Sequence, residues 1–214
     1  MRYSVRTRLG QIRHPRDFSH LLRDWWVLRR ERPNTQRVIL KDPIALFSAP
    51  WIEDTFAADI VVAVRRPAAF CDSLLRDRWS FPFRDLVAQP KLVEAHFQNL
   101  WPEIEAQAAK PHSLLDQSIL LYRILYQYVR EQVQSGRNSW QVVLHETFAE
   151  NPLEHFPPLY KAVGLEWTSE IAASFKAEAR VNTLKWKGNL SQDDISRIHE
   201  KTADLETYFY GNVV

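Results

Sequence analysis

A chain of 214 residues with 45% hydrophobic and 25% charged residues, five Gly and no low-complexity tract has the composition of an ordinary folded domain rather than a disordered or fibrous one. The longest apolar run of its first half, Ile60 to Val64, is far short of the roughly 20 residues a membrane helix needs. The start, MRYSVRTRLGQIRHPRDF, lacks the apolar core of a secretory signal, and a single cysteine, Cys71, excludes an intramolecular disulfide and a multi-cysteine zinc site. These features lead us to expect a cytoplasmic protein with no membrane span and no metal.

The net charge of +2 is unevenly spread: residues 1 to 37 hold ten Arg against three acids. This basic arm reads either as a lure for an anionic ligand, acidic lipid or nucleic acid, or as a solvated helix whose Arg stems cover apolar surface. The second is preferred because Phe18, Leu21, Leu22, Trp25, Trp26 and Leu28 recur at helical spacing. A helix is expected over 15–32, between Pro15 and Pro33. The run Arg37-Val38-Ile39-Leu40-Lys41, closed by Asp42-Pro43, predicts a buried strand. From Ser48 to Phe56 a helix is expected, with Pro50 and Glu53 near its start.

The run Ile60 to Val64 has no polar alternation and predicts a strand buried on both faces of a parallel sheet. Pro67 opens a helix running to around Trp79. Residues 81–116 read as irregular and then helical, broken at Pro82, Pro90, Pro102 and Pro111. A long helix is predicted over Leu114 to Gln134, stopped by Gly136, and a third strand over Trp140 to Leu144. A loop should follow, then a helix from Pro152 to Val163 capped by Gly164. The last helix is expected from Ser191 to around Tyr208, with Ser191 and Asp194 as a capping pair.

Alternating strands and helices define an α/β layer with a mostly parallel sheet, here a single domain with a helical arm over 1–36 and a core over 37–214. Ligands of such sheets gather at the carboxyl ends of the strands. That places interest on Lys41 with Asp42, on Arg65 with Arg66, and on His145 with Glu146.

In VVAVRRPAAFCDSLL a strand delivers two guanidinium groups onto a helix N-terminus, the chemistry of an anion site. Ser73 can supply a further hydroxyl. The alternative is that the Arg pair only caps and pairs with acids such as Asp72 or Asp77. The seven His show no pair at ligand spacing on one helix face.

Arg-x-Pro with Ser eight residues after the first Arg, directly behind an apolar strand, resembles the 3'-phosphate motif of sulfotransferases that use 3'-phosphoadenosine 5'-phosphosulfate. The segment WQVVLHETFAENPLEHFPPLYKAVGLEW is similar to the family's strand ending in Tyr-Glu-Asp, with His145, Glu146 and Thr147 at those positions. Lys185-Trp186-Lys187-Gly188 resembles the basic loop closing over the 3'-phosphate, with Trp186 in place of Arg.

The resemblance implies a P-loop-like three-layer fold, helix-rich and N-terminally incomplete. It implies sulfuryl transfer from that donor to a hydroxyl or amine of a small-molecule or glycan acceptor, with no nucleic acid as partner. Arg65, Ser73, His145, Lys185, Trp186, Lys187 and Gly188 would hold the donor, although Trp186 reads equally as core. Lys41 matches the family's active-site Lys. Asp42 is the nearest candidate base, or else an Asx turn into Pro43. The family's Gly- and Ser/Thr-rich loop for the 5'-phosphosulfate has no counterpart, because Gly10 has no hydroxyl residue after it. A fragment or a degenerate, non-catalytic nucleotide- or partner-binding module is the competing expectation, and a homodimer is left open.

Overall fold

The computed structural model describes residues 38–41, 45–137, 140–178 and 185–211. The chain divides into two units, Met1–Pro43 and Ile44–Val214. Of the first unit only 38–41 are described; they form no strand, and Val38, Ile39 and Leu40 are 86, 84 and 66% exposed. This corrects the expected buried strand: β-branched residues favour extended backbone only where a neighbouring strand and packed side chains reward it. Asp42 and the helix expected over 15–32 lie outside the described residues.

The second unit is helix-rich with a small parallel sheet, an α/β arrangement. A 3-10 turn, Ala45–Ser48, runs into α1 (Ala49–Phe56), where Pro50 occupies the first turn as its missing N–H allows. Strand β1 (Ile60–Val64) follows, then α2 (Pro67–Arg76), α3 (Arg84–Val87), α4 (Pro90–His96) and α5 (Trp101–Ala109). Of the four prolines expected as breaks, Pro82 and Pro111 lie between helices, whereas Pro90 and Pro102 stand in the first turns of α4 and α5. Helix α6 (Leu114–Gln134) matches its expected bounds at both ends. Ser113 Oγ accepts from the Asp116 N–H at its start, and Gly136 takes φ +86° just beyond its end, where a side chain would be strained.

Strand β2 (Trp140–Leu144) pairs in parallel with β1, in register from Ile60 with Trp140 to Val64 with Leu144. Helix α7 (His145–Glu150) replaces the expected loop. It is followed by α8 (Pro152–Ala162), α9 (Ser169–Glu178), a 3-10 turn over Lys185–Gly188 and α10 (Gln192–Tyr210). Helix α9 was not foreseen; Thr168 caps it through Ile171 N–H, and Phe175 stacks on Phe156 and Trp167. The Ser191–Asp194 pair caps α10 as expected, the hydroxyl accepting from Asp194 N–H at 3.1 Å.

Burial on β1 corrects the two-faced expectation. Ile60, Val62 and Val64 face the core, whereas Val61 is 45% exposed and Ala63 is also exposed, so one face of the strand is covered. Helix α6 lies against that covered face. Its Leu120, Leu121, Ile124 and Tyr128 join Phe83, Leu86, Phe97, Leu100 and Ile104 in the largest core cluster. Tyr122, Tyr126 and Val129 meet Val64 and Leu205, while Leu115 and Ile119 meet Ala68, Cys71 and Ile198. Each fully buried aliphatic side chain contributes roughly 1.5–3 kcal/mol. Helix α6 is therefore the shared wall on which β1, α2 and α10 are held.

Among the described residues no helix is long and apolar enough to cross a membrane, and no group of His, Cys, Asp or Glu could hold a metal ion. Cys71 is fully buried beside α6, and burial pushes its thiol up to about 12 against an opposing hydrogen bond to Ser118. The folded state thus favours the neutral thiol, and unfolding alone releases a thiolate between about pH 9 and 12. Native protein at pH 8 is expected to resist a maleimide, with one label appearing in denaturant; mass spectrometry distinguishes the two.

Candidate functional site at the carboxyl ends of the strands

Strands β1 and β2 end together, because Val64 pairs with Leu144. The next residues, Arg65-Arg66 and His145-Glu146, therefore emerge side by side, and both strands run straight into helices, α2 and α7. Pro67 starts α2 without wasting a donor, and Ala68 and Ala69 let the first turn pack against α6.

The backbone at this junction is fixed by three side chains. Glu146, only 6% exposed, accepts the Arg66 N–H on Oε1 at 3.0 Å. Its Oε2 accepts the Tyr210 hydroxyl at 2.6 Å, and that hydroxyl also lies 3.2 Å from the Val64 carbonyl. Tyr126 Oη accepts the Arg65 N–H at 3.3 Å. Burial, reinforced by the Glu146 carboxylate, holds the Tyr210 phenol well above its ordinary range, and burial pushes Tyr126 up to about 12. Both stay neutral donors over the whole physiological range.

The two arginines have different lives. Arg66 pairs with Glu206 at 3.4 Å, and its guanidinium lies 4.5 Å over the Tyr210 ring. Arg65 has no ion-pair partner among the described residues, and its Nε is buried without a hydrogen-bond acceptor. The purely structural alternative thus holds for Arg66, with Glu206 as its acid. Asp72 and Asp77 pair instead with Arg76.

The turn over Lys185–Gly188 docks on the same helix. Asn189 Nδ2 donates to Asp72 Oδ1 at 3.0 Å, and Trp186 packs with Ala68, Cys71 and Leu190, its Nε1 buried and unpartnered among the described residues. Trp186 is thus half-buried against the edge of this cluster rather than inside the core. Lys187 is exposed, with Nζ 5.8 Å from the Trp186 ring. Nothing lies within 4 Å of a Cβ added at Gly188, so the protein's own packing does not demand glycine there.

Ser73 is half-buried on α2, its hydroxyl 3.5 Å from Arg76. His145 is exposed at the start of α7. Lys41 is exposed and belongs to the other unit. The structure therefore brings together the Arg65, Glu146 and Trp186 segments. Tyr126, Glu206 and Tyr210 were missed by sequence reasoning, because a tyrosine or glutamate on an amphipathic helix carries no mark of a distant partner.

No protein-family model, curated protein or solved structure matches this chain.

Proposed function

We propose that this chain recognises the 3'-phosphate end of 3'-phosphoadenosine 5'-phosphosulfate and transfers its sulfuryl group to a hydroxyl or amine of a small-molecule or glycan acceptor, in a P-loop-like three-layer fold. The observation that supports this reading is Arg65: a strand-end guanidinium with no ion-pair partner among the described residues and a buried orphan Nε, two residues before the helix α2 on which the 185–188 turn docks. A buried donor without an acceptor costs roughly 1–3 kcal/mol, and an anion relieves that cost. Lys187 and the hydroxyl of Ser73 add donors on the same helix and turn.

Sulfuryl transfer breaks the sulfur–oxygen bond to the nucleotide phosphate while the acceptor oxygen or nitrogen bonds to sulfur and loses its proton to a base. The resemblance gives the roles of base and of cation for the leaving phosphate to Asp42 and Lys41, which belong to the Met1–Pro43 unit.

Adenosine 3',5'-bisphosphate should bind saturably to the full chain, and Arg65→Ala should weaken it roughly tenfold to a hundredfold, the loss of one charge-assisted contact. Calorimetric titration checks this. No saturable binding, or a variant that binds like the wild type, sinks the proposal.

A binding module without transfer is the second reading, favoured by the exposed, strand-free backbone around Lys41. It predicts nucleotide binding but no labelled sulfate on any acceptor incubated with labelled donor.

A further inference from the structure

Arg66, Glu146, Glu206 and Tyr210 form a set linked contact by contact. Glu146 holds one backbone N–H at the strand-to-helix junction and the Tyr210 hydroxyl at once. The ring of that same tyrosine carries the Arg66 guanidinium, whose Nη1 reaches Glu206 one helical turn earlier on α10. Glu206 also accepts from, or faces, His199 Nδ1 at 3.3 Å. Leu205 is 2% exposed and packs with Val64 and Tyr122, so the end of α10 is anchored in the core rather than frayed.

We infer that Tyr210 is a positioning residue for phosphate recognition: through Glu146 and Arg66 it fixes the backbone that aims Arg65 and the first turn of α2. This inference rests on the proposed reading of Arg65 as a 3'-phosphate contact. The physical reason is the arrangement of donors. Backbone N–H groups and an arginine fork reward an anion only when their directions are set beforehand, since ordering them on binding subtracts from the affinity. With Arg66 consumed by Tyr210 and Glu206, the junction cannot swing its two arginines interchangeably toward a ligand. Arg65 alone is left to meet the phosphate. Tyr210 also lies 144 residues from Arg66 in sequence, so the last helix closes the site onto the sheet.

The test compares two probes on the full chain, adenosine 3',5'-bisphosphate and adenosine 5'-monophosphate, which differ only in the 3'-phosphate. The wild type should prefer the bisphosphate by roughly tenfold or more, the value of one charge-assisted contact. Tyr210→Phe keeps the ring under Arg66 and removes the bond to Glu146. It should bind the bisphosphate severalfold more weakly while its affinity for the monophosphate stays unchanged, so that the preference collapses.

A merely structural role would lower both affinities together or neither. Glu206→Gln, at a half-buried position of the set, is the second variant and should erode the preference in the same direction should Tyr210→Phe fold poorly. A wild type without preference overturns the 3'-phosphate reading itself. A wild-type preference that survives in both variants overturns only the positioning role of Tyr210.

Discussion

Glu146→Ala is expected to lower the free energy of unfolding by roughly 2–4 kcal/mol, because it strands two donors in a buried place at once. The Arg66 N–H has no alternative acceptor in the first turn of α2, where backbone carbonyls point away. The Tyr210 hydroxyl can fall back on the Val64 carbonyl, already 3.2 Å away, which limits its share of the loss. Glu146→Gln provides the contrast. Its amide oxygen still accepts from Arg66, while Tyr210 turns its proton to Val64 and accepts from the amide, so the loss should stay near 1 kcal/mol. Urea unfolding of the three proteins checks the order. Equal stability of alanine variant and wild type would mean that water, not Glu146, satisfies the junction.

That junction marks where sequence reasoning succeeds and where it stops. The strand Ile60–Val64, its parallel partner Trp140–Leu144 and the long helix Leu114–Gln134 were legible as elements from their apolar patterns, although the unalternating run of β1 overstated its burial, since one face is open. Ser191 announced its helix by the hydroxyl and the Asp three residues later, and the structure shows the same device at Ser113 and Asp116.

The end of α2 was misplaced for an equally local reason. The helix closes with Trp79 N–H on the Leu74 carbonyl and Arg78 N–H on that of Leu75, with Arg78 at φ +49°, a position where glycine is the usual signal. Gly164 does carry that signal, at φ +64° with Leu165 N–H on the Tyr160 carbonyl, and the stop there was foreseen. Segment 38–41 shows the converse: Val, Ile and Leu in a row state a preference for extended backbone, but a strand needs a partner that composition cannot name. At the site, Arg65-Arg66 was conspicuous, whereas the division of labour between them was not. It is set by Tyr210 and Glu206, on the last helix of the chain.

Phe97→Ala should produce the largest loss of stability of any single change considered, about 3–5 kcal/mol. Its ring is fully buried where α4 ends and sits edge-on to Phe47 at 5.8 Å, near Tyr128 at 6.4 Å and His96 at 5.9 Å. Those neighbours come from three separate elements, so the cavity cannot collapse by shifting one of them. Against a typical total of roughly 5–15 kcal/mol, this is about a fifth or more of the stability of an ordinary domain. Val61→Thr, on the open face of β1, should change it by no more than about 0.5 kcal/mol.

Thermal or urea unfolding checks both, and the comparison bears on function as well. Phe97 belongs to the cluster around α3, α4 and α5, whereas the Arg65 N–H is held by Tyr126 of the cluster with Val64, Tyr122 and Leu205, and Trp186 packs against that of Ala68 and Ile198. Well below its lowered unfolding midpoint, the Phe97→Ala protein should therefore bind adenosine 3',5'-bisphosphate like the wild type. Arg65→Ala should show the reverse, wild-type stability and lost affinity. A Phe97→Ala protein that is folded yet has lost nucleotide affinity would show that the strand-end site depends on the whole core, and would contradict the division into clusters from which the prediction is drawn.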